Sequence, residues 1–134
     1  MSPESYYRLI VEGNNKYALT FLDLDGVIRT WNAGAKVIHG YPPEDAIGQH
    51  VRLLYSSADR ESLVPETELD LARREGVADD TRWLVGKDGV EFWAEGLTTA
   101  VRNHVGEIVG FSKVVRDASE RRRLKRSWNG PTKS

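Results

Sequence analysis

Cysteine is absent from the 134 residues, which removes disulfides, thiolate metal sites and cysteine nucleophiles together. That absence fits a reducing compartment. An excess of one charge is missing too. Lys and Arg number 19 against 20 Asp and Glu, a formal net charge of -1, so no global field draws the chain to nucleic acid or to an anionic membrane. No apolar run approaches the roughly 20 residues that a membrane helix needs. The segment Met1-Ser2-Pro3-Glu4-Ser5 has no basic region leading into an apolar run, as a secretory signal would. These absences predict a cytoplasmic, single-domain chain with neither membrane nor nucleic acid as a partner.

What is present divides into short elements. Pro3 to Glu12 reads as an amphipathic helix, with Ser2 as its cap and Tyr6, Leu9 and Ile10 on one face. Two strands, Tyr17 to Asp23 and Val27 to Trp31, would form a hairpin closed at Asp25-Gly26. Asn32 to His39 reads as a helix ended by Gly40, and Glu44 to Ile47 as a further turn. The clearest helix is Pro65 to Glu75, acidic in its first turns, basic in its last, and stopped by Gly76. Three apolar runs follow, Thr81 to Val85, Val90 to Val101 and Glu107 to Val115, joined by Lys87-Asp88-Gly89 and Asn103-His104-Val105-Gly106. Such short links predict an antiparallel meander, because parallel strands need long crossovers. A basic helix, Ser119 to Trp128, closes the order and is expected to end before Gly130-Pro131. The expected units are 1–15 as a flanking helix, 16–117 as the core, and 118–134 as exit helix and tail.

Asp23-Leu24-Asp25-Gly26 after an apolar strand supports two incompatible readings. It looks like the nucleophile loop of haloacid dehalogenase-type phosphatases, with Asp79-Asp80 as a mimic of their magnesium-holding pair. That chemistry requires a doubly wound parallel sheet. In the other reading, Asp25-Gly26 is the corner of a hairpin and Asn32 caps the next helix. The meander downstream favours the corner, so no enzyme activity is expected.

Asp23-x-Asp25-Gly26-x-Ile28-x-x-Trp31-Asn32-x-x-Ala35, Gly40-Tyr41-x-x-Glu44-x-x-Ile47-Gly48, Lys87-Asp88-Gly89-x-x-Phe92-Trp93, and Gly110-Phe111 through Arg116-Asp117 and Glu120-Arg121 occur in this order. Together they resemble the PAS family over roughly Tyr6 to Lys125. The exit reads Asp117-Ala118-Ser119 where the family usually has Asp-Ile-Thr, and Ser119 is expected to cap the helix in its place. The resemblance implies an α+β fold: a five-stranded antiparallel sheet, order 2-1-5-4-3, with short helices on one face. It also implies a sensory or protein-interaction role in two-component signal transduction, as a homodimer with a signalling partner or output domain.

The same resemblance bears on cofactors, and none is expected. Val51 stands where light-sensing members carry the cysteine that bonds flavin, and the helix at 65–75 has no His where haem-binding members use one. His39, His50 and His104 read as surface or secondary residues. Strand alternation, set in register with the family, turns Thr20, Leu22, Trp83, Val85, Phe92, Ala94, Phe111, Lys113 and Val115 towards the short helices, with Ile38 and Leu54 opposite. This set lines either an open pocket for a small organic ligand or a filled core. A buried Lys113 would need a carboxylate or an anionic ligand. The opposite face would carry Leu84, Trp93, Leu97, Val101 and Val114, covered by Tyr6, Leu9 and Ile10 of the first helix from the same chain or from a dimer partner. Arg121-Arg122-Arg123-Leu124-Lys125-Arg126 reads as a solvated helix face.

Overall fold

The computed structural model describes residues 2–129. Helix α1 spans Pro3–Gly13, with Pro3 in its first turn and the Ser2 hydroxyl accepting from the Ser5 amide at 3.2 Å. Strand β1, Ala18–Leu22, follows. The chain then turns at Asp23-Leu24-Asp25-Gly26, where Gly26 takes a φ of 82° that a side chain would strain. The expected strand from Val27 to Trp31 is reduced to isolated pairings, Leu22 with Ile28 and Val27 with His50. It is shared between two neighbours: the Arg29 amide bonds to Phe21, while that of Ile28 bonds to Gln49.

Asn32 caps α2, Ala33–His39, by accepting from the Ala35 amide at 2.9 Å, and Gly40 ends it in the left-handed region. Gly34 lies so close to the Tyr17 carbonyl that a Cβ would sit 1.9 Å from its oxygen, so no other residue fits there. Helix α3 is Pro43–Ala46, and a 3₁₀ turn spans Val51–Leu54. Then come α4, Ser57–Glu61, and α5, Val64–Glu75, ended by Gly76.

Strands β2, Val77–Asp79, β3, Arg82–Val85, β4, Glu91–Arg102, and β5, Ile108–Asp117, complete one five-stranded antiparallel sheet. Its order runs β1-β5-β4, and β4 then carries both β2 and β3 along its far edge. Helix α6, Ser119–Asn129, leaves the sheet. The expected stop at Gly130-Pro131 lies outside the described residues. The short helices pack on one face of the sheet, where Leu22, Leu84, Phe92, Phe111 and Val115 meet Ile28, Trp31, Val51, Leu54, Leu69 and Ala72. Burying each large apolar side chain contributes roughly 1.5–3 kcal/mol.

Candidate functional site

Side-chain alternation along β5 points Phe111, Lys113 and Val115 inward, and Lys113 is 1% exposed. A buried amine without partners would cost several kcal/mol. Here it forms an ion pair with the fully buried Asp80 and donates to the Tyr55 hydroxyl at 2.9 Å. Tyr55 spends its own proton on Glu68 at 2.7 Å. Arg82 closes the ring, with one nitrogen 2.6 Å from Glu68 and Nε 3.3 Å from Asp80. Two carboxylates and two cations therefore balance inside the domain, with Asp59 at the rim, 3.7 Å from Arg82.

The environment sets the protonation states. Burial, aided by the neighbouring Glu68, raises the Tyr55 phenol well above its usual value, so it stays a neutral donor. Burial pushes the Lys113 amine down to about 8, and Glu68 opposes this. His39 is buried between Trp31 and Phe92, its ring 5.4 and 5.8 Å from theirs. Burial first, and the Lys113 charge second, hold it down to about 3, so the imidazole is neutral. Its Nδ1 has no hydrogen-bond partner among the described residues. Of the two roles expected for His39, surface or secondary, its burial excludes the first.

Of the residues expected to face the helices, Thr20, Leu22, Leu54, Phe92, Ala94, Phe111, Lys113 and Val115 are buried together. Ile38 packs against them, and Val85 is half-buried. Trp83 is not among them. It is 41% exposed, while Leu84, expected on the outer face, is fully buried. Trp83 lies directly opposite Trp93, and Leu84 opposite Phe92. Directly opposed residues share a face, so the outward Trp93 carries Trp83 with it, and a one-residue offset inverts the strand.

On the outer face Leu97 and Val114 are 46% and 37% exposed, with Trp93 and Val101 half-buried. Tyr17, Leu97, Val114 and Arg116 border a groove there of about 360 Å³. The first helix does not cover it within the chain. No residue of α1 is buried, Tyr6, Leu9 and Ile10 included. Instead α1 is pinned at its C-terminal end by Asn32. The amide of Asn32 donates to the carbonyls of Val11, Asn14 and Tyr17 at 3.0 Å each. A cleft of about 610 Å³ separates Tyr7 and Val11 from Leu19, Trp31 and Ile47.

The aspartates of the first turn serve structure. One Asp23 oxygen accepts from the amides of Asp25 and Val27, and the other pairs with Arg29 at 2.8 Å. The Val27 amide leads in holding its carboxyl below the usual range. Asp79 caps its own turn by accepting from Thr81, and Asp80 is taken by Lys113, so the acidic pair is split. The antiparallel sheet is not the one a haloacid dehalogenase-type phosphatase requires. Among the described residues no group of three His, Cys, Asp or Glu could hold a metal ion, and no helix is long and apolar enough to cross a membrane.

Ser119 departs from its expected role. Its hydroxyl accepts from the Trp93 amide at 2.9 Å, while Asp117 accepts from the Ser119 amide and starts the helix.

A helix-on-one-face antiparallel sheet with this order defines a PAS-like fold, and residues 5–118 match the PAS fold family. The chain belongs to that family. It is 45% identical over 116 residues to two-component system protein A of Emericella nidulans, covering 87% of this chain but only 17% of that protein. Among solved structures, the PAS domain of a Colwellia psychrerythraea protein superposes with a TM-score of 0.80 at 24% identity, covering 89% of this chain and 99% of that one. An RNA-binding light-oxygen-voltage receptor superposes at 0.77 and 18% identity, over 98% of this chain and 38% of that one.

Proposed function

We propose that this chain is a sensory module of a two-component signalling protein and works as a homodimer through α1 and the outer sheet face. The observation that supports this best is the position of α1. Its Tyr7 and Val11 line the cleft towards the domain yet stay exposed, as do Tyr6, Leu9 and Ile10 on another face of the helix. One domain cannot bury both stripes, and a second copy can. The exposed Leu97 and Val114 extend the same apolar surface.

A second reading, an interaction scaffold with a filled core, is favoured by the Lys113 centre. Its amine is satisfied by Asp80 and Tyr55, which occupy the place an anionic ligand would take. Light scattering across a concentration series tests the dimer. The expected result is a dimer that dissociates at least tenfold more readily in Ile10→Glu/Leu97→Glu. A wild-type monomer throughout refutes it. Native mass spectrometry separates the two readings of the core: a bound small molecule supports ligand sensing, and the bare chain mass supports the scaffold.

A further inference from the structure

Arg122, in the first turns of α6, does not point to solvent as a charged face would. Its guanidinium carbon lies 4.2 Å from the ring centroid of Trp93 and 5.5 Å from that of Trp83. The two indoles meet edge to face at 5.3 Å and form the two walls of an open corner. The Nε of Arg122 is buried and has no hydrogen-bond partner among the described residues. A guanidinium in that position is attracted by the indole faces. Its neighbours behave differently: Arg121 reaches Glu95 at 3.3 Å, and Arg123, among the described residues, meets Glu120 of its own helix at 3.8 Å.

Trp93 also holds the root of the same helix. Its amide donates to the Ser119 hydroxyl at 2.9 Å, and its carbonyl accepts from the Ala118 amide at 2.8 Å. Backbone and ring of one residue thus fix two successive points of α6. Two points determine a direction. We propose that Trp83 and Trp93 form a guanidinium-accepting clamp, occupied by Arg122, which sets the angle at which the exit helix leaves the sheet. Its use as an output joint rests on the sensory reading above, whereas the clamp itself does not.

Hydrogen exchange of the α6 amides in the full chain tests it. Arg122→Ala should speed their exchange on the order of tenfold, the factor expected for losing one well-formed cation–π contact. Alanine is the better helix former, so intrinsic helicity cannot explain a loss. Arg122→Lys should keep part of the protection, because an ammonium also binds an indole face. Arg123→Ala should leave exchange within about twofold of wild type, since its contact with Glu120 is an exposed pair. Equal effects of Arg122→Ala and Arg123→Ala would overturn the clamp. Should Arg122→Ala also loosen β4 and β5, Trp83→Leu decides: it keeps apolar bulk at a half-exposed site, and normal α6 protection in that variant refutes the proposal. A monomeric chain with a protected α6 would sink the dimer and leave the clamp standing.

Discussion

Lys113→Met isolates the charge at the centre of the domain. Methionine nearly matches the length of the lysine stem, so apolar packing is retained and the ammonium alone is lost. Lys113 is 1% exposed and Asp80 is fully buried, so water does not replace the missing cation. Arg82, 2.6 Å from Glu68 and 3.3 Å from Asp80, is then the one cation left in the ring beside the neutral Tyr55 donor, leaving two carboxylates against one guanidinium. Removing one partner of a buried pair costs about 3–5 kcal/mol. For a domain of this size, with an unfolding entropy near 2.1 cal/mol/K per residue, that corresponds to a Tm lower by roughly 10–18 °C. Urea unfolding followed by far-ultraviolet circular dichroism at pH 7 measures it. The paired variant Asp80→Leu/Lys113→Met removes both charges, leaves Arg82 to Glu68, and should recover at least half of the loss. A single-variant effect below about 1 kcal/mol, or a paired variant worse than the single, would refute the account of a compensated buried pair.

Two further outcomes are expected. His39 titrates near 3 in the folded chain against 6.5 when unfolded, so between these values the unfolded state binds more protons and stability rises with pH. The contribution is complete above 6.5; about 2 kcal/mol of it is lost by pH 5, at 1.36 kcal/mol per pH unit, and this part of the slope should vanish in His39→Leu denaturant titrations. An unchanged slope in that variant would refute the assignment. Asn32→Ala removes the donors to three carbonyls and the acceptor for the Leu19 and Ala35 amides. It should cost on the order of 2–4 kcal/mol and free α1, seen as fast amide exchange across residues 3–13. Protection of α1 equal to wild type would show that the helix is held elsewhere.

The elements with capping residues and periodic runs were legible in the sequence. Ser2 and Pro3, Asn32 and Gly40, and Pro65 with Gly76 place three helices within a residue or two, and the turn residues after Val85 and Val101 give the meander. Strand parity on β3 was not legible, because it depends on how many residues the 86–90 turn absorbs, and neither propensity nor composition fixes that number. Lys113 could be placed inward by counting from Phe111. Its partner could not, since Asp80 arrives from the turn between β2 and β3, an element too short to show a period. Glu68 did carry a signal. It shares the buried stripe of α5 with Pro65, Leu69 and Ala72, where a charge is out of place unless something inside answers it. The buried place of His39 follows from Trp31 and Phe92 closing over the end of α2, a tertiary arrangement with no local mark.

Arg82 and Trp83 are consecutive residues on one strand, and alternation sends them to opposite faces. Arg82 belongs to the ionic centre and Trp83 to the clamp on α6. Side chains turn about their own χ angles, but a shift of the β3 backbone, paired with β4 from Arg82 to Val85, carries both residues together. The distance between centre and clamp is thus one peptide unit, not a chain of contacts across the domain. Proximity alone does not establish coupling. It does remove the need for a long path, because the strand that closes the buried ring through Arg82 also supplies one wall of the clamp through Trp83.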